Sequence, residues 1–169
     1  MQQYFSVEGS SYFNLTNING AVGINSWQQN TIKVHAIIIA ETQESRDKII
    51  VERQQQGEKI SVYTDYKARA YRHKNTDAVK VDYQVWLSAE TNLSDIALVN
   101  GSLTIENIHE DLAAEIVNGT VKAMALRGNS KINSVNGSVN VDYDVQNSNI
   151  DNIALETVND CIRLYLPKT

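Results

Sequence analysis

The sequence predicts an all-β protein, and three observations carry that expectation. A short phrase recurs: "INGAV" at Ile18, "VNGSL" at Val99, "VNGTV" at Val117, "VNGSV" at Val135 and "VNDCI" at Val158. Apolar residues stand at fixed offsets from each copy. Apolar and polar residues also alternate after each copy, the period of a strand with one buried and one solvated face.

The first copy is followed by a long gap, and then Asn100, Asn118 and Asn136 stand 18 residues apart. Asn159 comes 23 further on, as if five residues were added around Gln146 to Asp151. Three residues before the aliphatic that opens each phrase stand Leu15, Ile96, Ala114, Ile132 and Leu155. Four after it stand Val22, Leu103, Val121, Val139 and Ile162, and six after it Ile24, Ile105, Ala123, Val141 and Leu164. Such columns predict continuous interior stripes, each fully buried aliphatic contributing about 1.5–3 kcal/mol. The column just after the corner is small throughout: Ala21, Ser102, Thr120, Ser138 and Cys161. It reads as packing.

Asn19, Gly20, Asn100, Gly101, Asn118, Gly119, Asn136, Gly137 and Asn159 are the expected corner residues. Glycine accepts positive φ and asparagine tolerates the left-handed region, so each phrase turns the chain. Two architectures use such corners. In a β-solenoid, or parallel β-helix, each 18-residue unit is one coil, and the asparagines can form a ladder. In an antiparallel meander or sandwich, each Asn-Gly is a hairpin turn. Like-on-like columns favour the solenoid.

Residues 31–90 lack the phrase. They read as long strands, Thr31–Ala40, Lys48–Gln54, Lys59–Tyr66 and Ala78–Leu87, with a hairpin turn at "RQQQGEK". The expected organisation is one β domain over 1–169. It comprises a first coil at 1–30, an antiparallel insertion or cap at 31–90 and repeated coils at 91–169. A cap would blunt open strand edges. No convincing helix is expected; "ENIHEDLAAEI" comes nearest, but its Leu112 and Ala114 also fit the strand columns.

The 169 residues suffice for a core, and 42% hydrophobic content suits a folded domain. A net charge of −5 argues against nucleic acid as partner. Lys67, Arg69, Arg72 and Lys74 form one basic segment, read as a solvated hairpin tip. No apolar run approaches the roughly 20 residues of a membrane helix. "MQQYFSVEGS" lacks the basic and apolar parts of a signal peptide.

The segments "NLTNINGAVGINSWQQNTIKVHA" (14–36) and "VKVDYQVWLSAETNL" (79–93), with the later "VNGS/T" corners, resemble the bacterial putative-adhesin family. That family includes β-helix domains like the heads of autotransporter adhesins. Ser88-Ala89 stand where its members often carry proline. The resemblance implies a periplasmic or extracellular domain of the bacterial cell envelope, of unknown function. No catalytic or metal residues come with it.

Candidate chemistry is sparse. His35, His73 and His109 have no metal-ligand spacing. Asp142 and Asp144, two apart on a strand, could hold calcium or act as an acid–base pair on a glycan, but such pairs are commonplace on solvated strands. Trp27, Trp86, Tyr63 and Tyr83 fit a core or its boundary, whereas Tyr66, Arg69, Tyr71 and Arg72 form the expected ligand contact. Asn14, Asn92, Asn100, Asn118 and Asn136 match the glycosylation sequon, the last three as part of the corner phrase, and all five matches read as accidental. No cofactor is expected. The reading is a non-enzymatic, adhesive module binding a protein or glycan, with a homo-oligomer left open. Alternatives are a polysaccharide-active enzyme or an envelope-stress sensor.

Overall fold

Strand alternation decides the architecture. The computed structural model describes residues 1–66, 79–144 and 150–167. The first strands are β1 (Gln2–Ser6), β2 (Ser11–Asn19), β3 (Val22–Trp27), β4 (Thr31–Ile39), β5 (Ile49–Gln56), β6 (Lys59–Tyr66) and β7 (Lys80–Ser88). The copies follow as β8 (Thr91–Asn100) and β9 (Leu103–Glu106), β10 (Leu112–Asn118) and β11 (Val121–Leu126), β12 (Ser130–Asn136) and β13 (Val139–Tyr143), β14 (Ile153–Thr157) and β15 (Ile162–Tyr165). They form two open mixed sheets, ordered β1-β4-β7-β3-β9-β11-β13-β15 and β14-β12-β10-β8-β2-β6-β5. A single apolar core draws on both sheets.

At every corner the chain leaves one sheet and enters the other, so the strands flanking an Asn-Gly are not neighbours. Corresponding strands of successive copies lie side by side in parallel instead. Ala114 pairs with Ile96 and Ile132, and Val121 with Leu103 and Val139. The step is 18 residues there and 23 between Ile132 and Leu155. Leu103, Val121 and Val139 are all fully buried. The extra residues of the last step lie partly at 145–149, outside the described residues.

The block at 31–90 is not a sheet of its own. β5 and β6 form an antiparallel hairpin, and β4 pairs antiparallel with β7 and β1. Yet β6 runs parallel beside β2 and β7 parallel beside β3, so the block extends both sheets. The expectation of no helix is corrected by α1 (Gln43–Asp47). It is one short turn with no buried residue, so periodicity cannot reveal it; Thr42 caps it by accepting from the Ser45 amide.

The small column is also corrected. Ala21, Ser102, Thr120 and Cys161 are exposed, and Ser138 is half-buried. Smallness there reflects the crowded corner rather than a packed interior. Polar residues inside are bonded in pairs: Tyr143 donates to Ser130 Oγ at 2.8 Å, and the Tyr83 and Thr64 hydroxyls meet at 2.5 Å. Burial pushes the Tyr83 hydroxyl up to about 12. The Ser134 hydroxyl is buried and finds no partner among the described residues.

Candidate functional site

The corners build a continuous edge. Asn100 donates to the Asn19 side-chain oxygen at 3.0 Å, Asn118 to Asn100 at 2.8 Å, Asn136 to Asn118 at 2.8 Å and Asn159 to Asn136 at 2.6 Å. Asn100, Asn118 and Asn136 thus each donate to one neighbour and accept from the next. Beneath them the backbone repeats the pattern: Gly20, Gly101 and Gly119 N–H groups donate to the oxygens of Asn100, Asn118 and Asn136. The glycines stack so closely that a Cβ on Gly119 would lie 1.9 Å from the Gly101 oxygen, at a φ of +152°. No side chain fits there.

Beside the asparagines runs a second row. The residue before each asparagine points outward, because the next one inward is the buried Leu98, Ile116 or Ser134. This leaves Ile18, Val99, Val117, Val135 and Val158 between 36% and 65% exposed. At the spacing of paired strands, about 4.8 Å, five such positions make an aliphatic ridge of roughly 19 Å. Thr16, Ala97, Glu115, Asn133 and Glu156 form the parallel outward row, and between the two lies a shallow cleft of 440 Å³. The cleft is an apolar strip with the Glu115 and Glu156 carboxylates and the Asn133 amide along one side and the aliphatic ridge along the other. Such a surface suits contact with an extended partner along its length.

The sequence marked the valines only as the start of each phrase. Strand parity could have found them, since they lie one residue out of step with the buried column.

The expected contact residues fare differently. Tyr66 is corrected: it is 7% exposed, its hydroxyl lying 3.3 Å from the Asn17 side-chain oxygen and from the Asn19 carbonyl. Burial raises its pKa. Arg69, Tyr71 and Arg72, with Lys67, His73 and Lys74, lie outside the described residues. Trp27 and Trp86 are half-buried, with ring centres 6.5 Å apart, and Lys33 sits 4.7 Å over Trp86. Tyr63 is exposed and Tyr83 fully buried.

Asp142 and Asp144 part company. Asp142 is exposed on β13, whereas Asp144 accepts from Arg127 Nε at 2.9 Å and Nη2 at 2.7 Å. His35 is half-buried on β4. His109 bridges Glu90, at 3.2 Å, and Asn107, at 3.1 Å. Next to it the Glu110 carboxyl is raised, chiefly by burial and then by hydrogen bonding to Glu90. Cys161 is an exposed free thiol. Of the sequon asparagines, Asn100, Asn118 and Asn136 have their amides engaged in the ladder, and Asn14 accepts from the Ser94 hydroxyl.

Among the described residues, no helix is long and apolar enough to cross a membrane. No family model matches the chain, and no curated protein does. The fold does have a solved counterpart. A crystal structure of a "putative cell adhesion protein" from Clostridium sporogenes superposes with a TM-score of 0.61 over 98% of each chain, at 8% sequence identity. At that identity the likeness is one of fold, and the chain shares its all-β architecture with that protein.

Proposed function

We propose that the chain is a non-enzymatic β-solenoid module of the bacterial cell envelope, each 18-residue copy forming one coil, and that it works by adhesion. The supporting observation is the repeated edge: an asparagine row and an aliphatic ridge, in register over the corners of successive copies. A surface that repeats the same modest contact suits additive, multipoint recognition of a protein or glycan chain. The resemblance to the putative-adhesin family and the likeness in fold to a protein named for cell adhesion support the periplasmic or extracellular setting. No cofactor enters this reading.

The test is direct. Immobilised protein is screened against glycan arrays and extracellular-matrix proteins, with V117K/V135K as comparator. These valines are 41% exposed, so the double variant stays folded. The ridge predicts at least one ligand whose binding falls tenfold or more in the variant. A ligand held equally by both proteins, or turnover of any substrate panel member, overturns the reading.

A further inference from the structure

The two ends of the sheets are finished differently. At the β1/β5 end the inward residues are covered: Phe5 is 6% exposed, and Ile49 and Val51 are each 8%. At the β14/β15 end, Ile162 and Leu164 occupy the interior columns, above Val139 and Val141, yet remain 40% and 39% exposed. Leu155, above Ile132, is half-buried, and Leu166 is 54% exposed. Among the described residues, both outermost strands are sheet edges whose second row of backbone hydrogen-bonding groups has no strand beside it. An edge of this kind is a template for another strand.

We propose that this end docks onto the same end of a second copy, forming a two-fold dimer in which β14 of each copy pairs antiparallel with β15 of the other. The symmetry fixes the register. β14 and β15 run in opposite directions from a corner at Asn159–Asp160. Equal counts back and forward from that corner place Leu155 opposite Leu164 across the core, and Glu156 opposite Arg163. A two-fold axis along the strands keeps each residue's position along the strand and exchanges the sheets. It therefore sets Leu155 beside Leu164 of the partner copy and Ile153 beside the partner's Leu166. On the outer face Glu156 falls beside the partner's Arg163, and this occurs twice.

Charge complementarity supports a second copy as the occupant. Glu156 and Arg163 are the charged residues of the two edge strands, they are opposite in sign, and both are exposed. Within its own chain Arg163 makes one long contact, 3.4 Å, to Asn140. The alternative two-fold, normal to the sheets, would pair β14 with β14 and β15 with β15, and so set like strands and like charges together. Docking also continues the apolar core through the joint and satisfies both exposed edges at once.

The experiment is sedimentation equilibrium on the full chain over a wide concentration range, with E156R, R163E and the double reversal E156R/R163E. The wild type is expected to dimerise. Each single reversal places like charges side by side twice and should weaken the dimer about tenfold, and the double reversal should restore it. L164E should give a folded monomer, its fold checked by circular dichroism, because position 164 is open to solvent in the single copy. A wild type that stays monomeric overturns the proposal. So does a dimer unmoved by L164E, or single reversals that the double variant fails to rescue.

Discussion

Replacing Gly119 by alanine tests the corner most sharply. A Cβ at this position would lie 1.9 Å from the Gly101 oxygen and 2.7 Å from its carbonyl carbon, both backbone atoms that cannot swing aside. The residue also holds φ at +152°, where an L side chain is strained by about 1–3 kcal/mol before any clash. Relief requires the two copies to part, which strains the 3.0 Å bond from the Gly101 amide to the Asn118 carbonyl and the 2.8 Å bond from the Asn118 side chain to Asn100. Two such bonds contribute about 1–3 kcal/mol together. The expected loss is therefore about 2–6 kcal/mol, a large part of a typical domain's stability. Urea unfolding followed by circular dichroism reads it as a lower midpoint at unchanged slope. Gly57→Ala is the control, since Gly57 also has positive φ, +61°, but a Cβ there meets nothing within 4 Å. It should cost about 1–2 kcal/mol. Equal losses at the two sites would refute the idea that close stacking, rather than backbone conformation alone, demands glycine at the corners.

Two further outcomes follow from buried or crowded groups. Ser134→Ala removes a buried hydroxyl that has no partner among the described residues and should raise unfolding free energy by about 1 kcal/mol, read from the urea midpoint. Glu110→Gln should change the pH dependence of thermal unfolding. The Glu110 carboxyl is raised by burial, by hydrogen bonding to Glu90 and by the charges of Glu90 and Asp111, while His109 acts in the opposite direction. Folding therefore favours its neutral form, and that contribution is complete at acid pH and lost as pH rises through the raised value. The variant should be the more stable protein at neutral pH, with the gap closing below the ordinary carboxylate range; a gap that widens on acidification would contradict the assignment.

The interior was legible because burial repeats. Leu103, Val121 and Val139 share a column in the sequence, and the sheets pair them side by side. The choice between hairpin and sheet-changing corner was not legible locally, since Leu98 and Leu103 would serve either arrangement; only the pairing of distant copies separates them. Tyr66 was misjudged by its basic neighbours in the chain, although it shares strand parity with the buried Ile60, Val62 and Thr64. Cys161 shows the reverse error. Its column is small because the corner is crowded, and it lies outside the core. The aliphatic ridge went unnoticed for a different reason: Val99, Val117 and Val135 spell the corner phrase and served only as its first letter, with no face assigned to them. The contact expected at Arg69, Tyr71 and Arg72 falls on residues beyond those described.

The corner hydrogen bonds bear on how such a protein ages. An asparagine followed by glycine is the pair most prone to spontaneous deamidation, because the glycine amide nitrogen can attack the preceding side-chain carbonyl and close a five-membered imide. In the stacked corners that nitrogen is held: the amides of Gly20, Gly101 and Gly119 each donate to the next copy at 3.0 Å. The side chains of Asn100 and Asn118 are bound on both sides. The folded chain thus carries a run of chemically fragile dipeptides in a geometry that closes the reaction path, and it is the unfolded chain that would lose its amides with time.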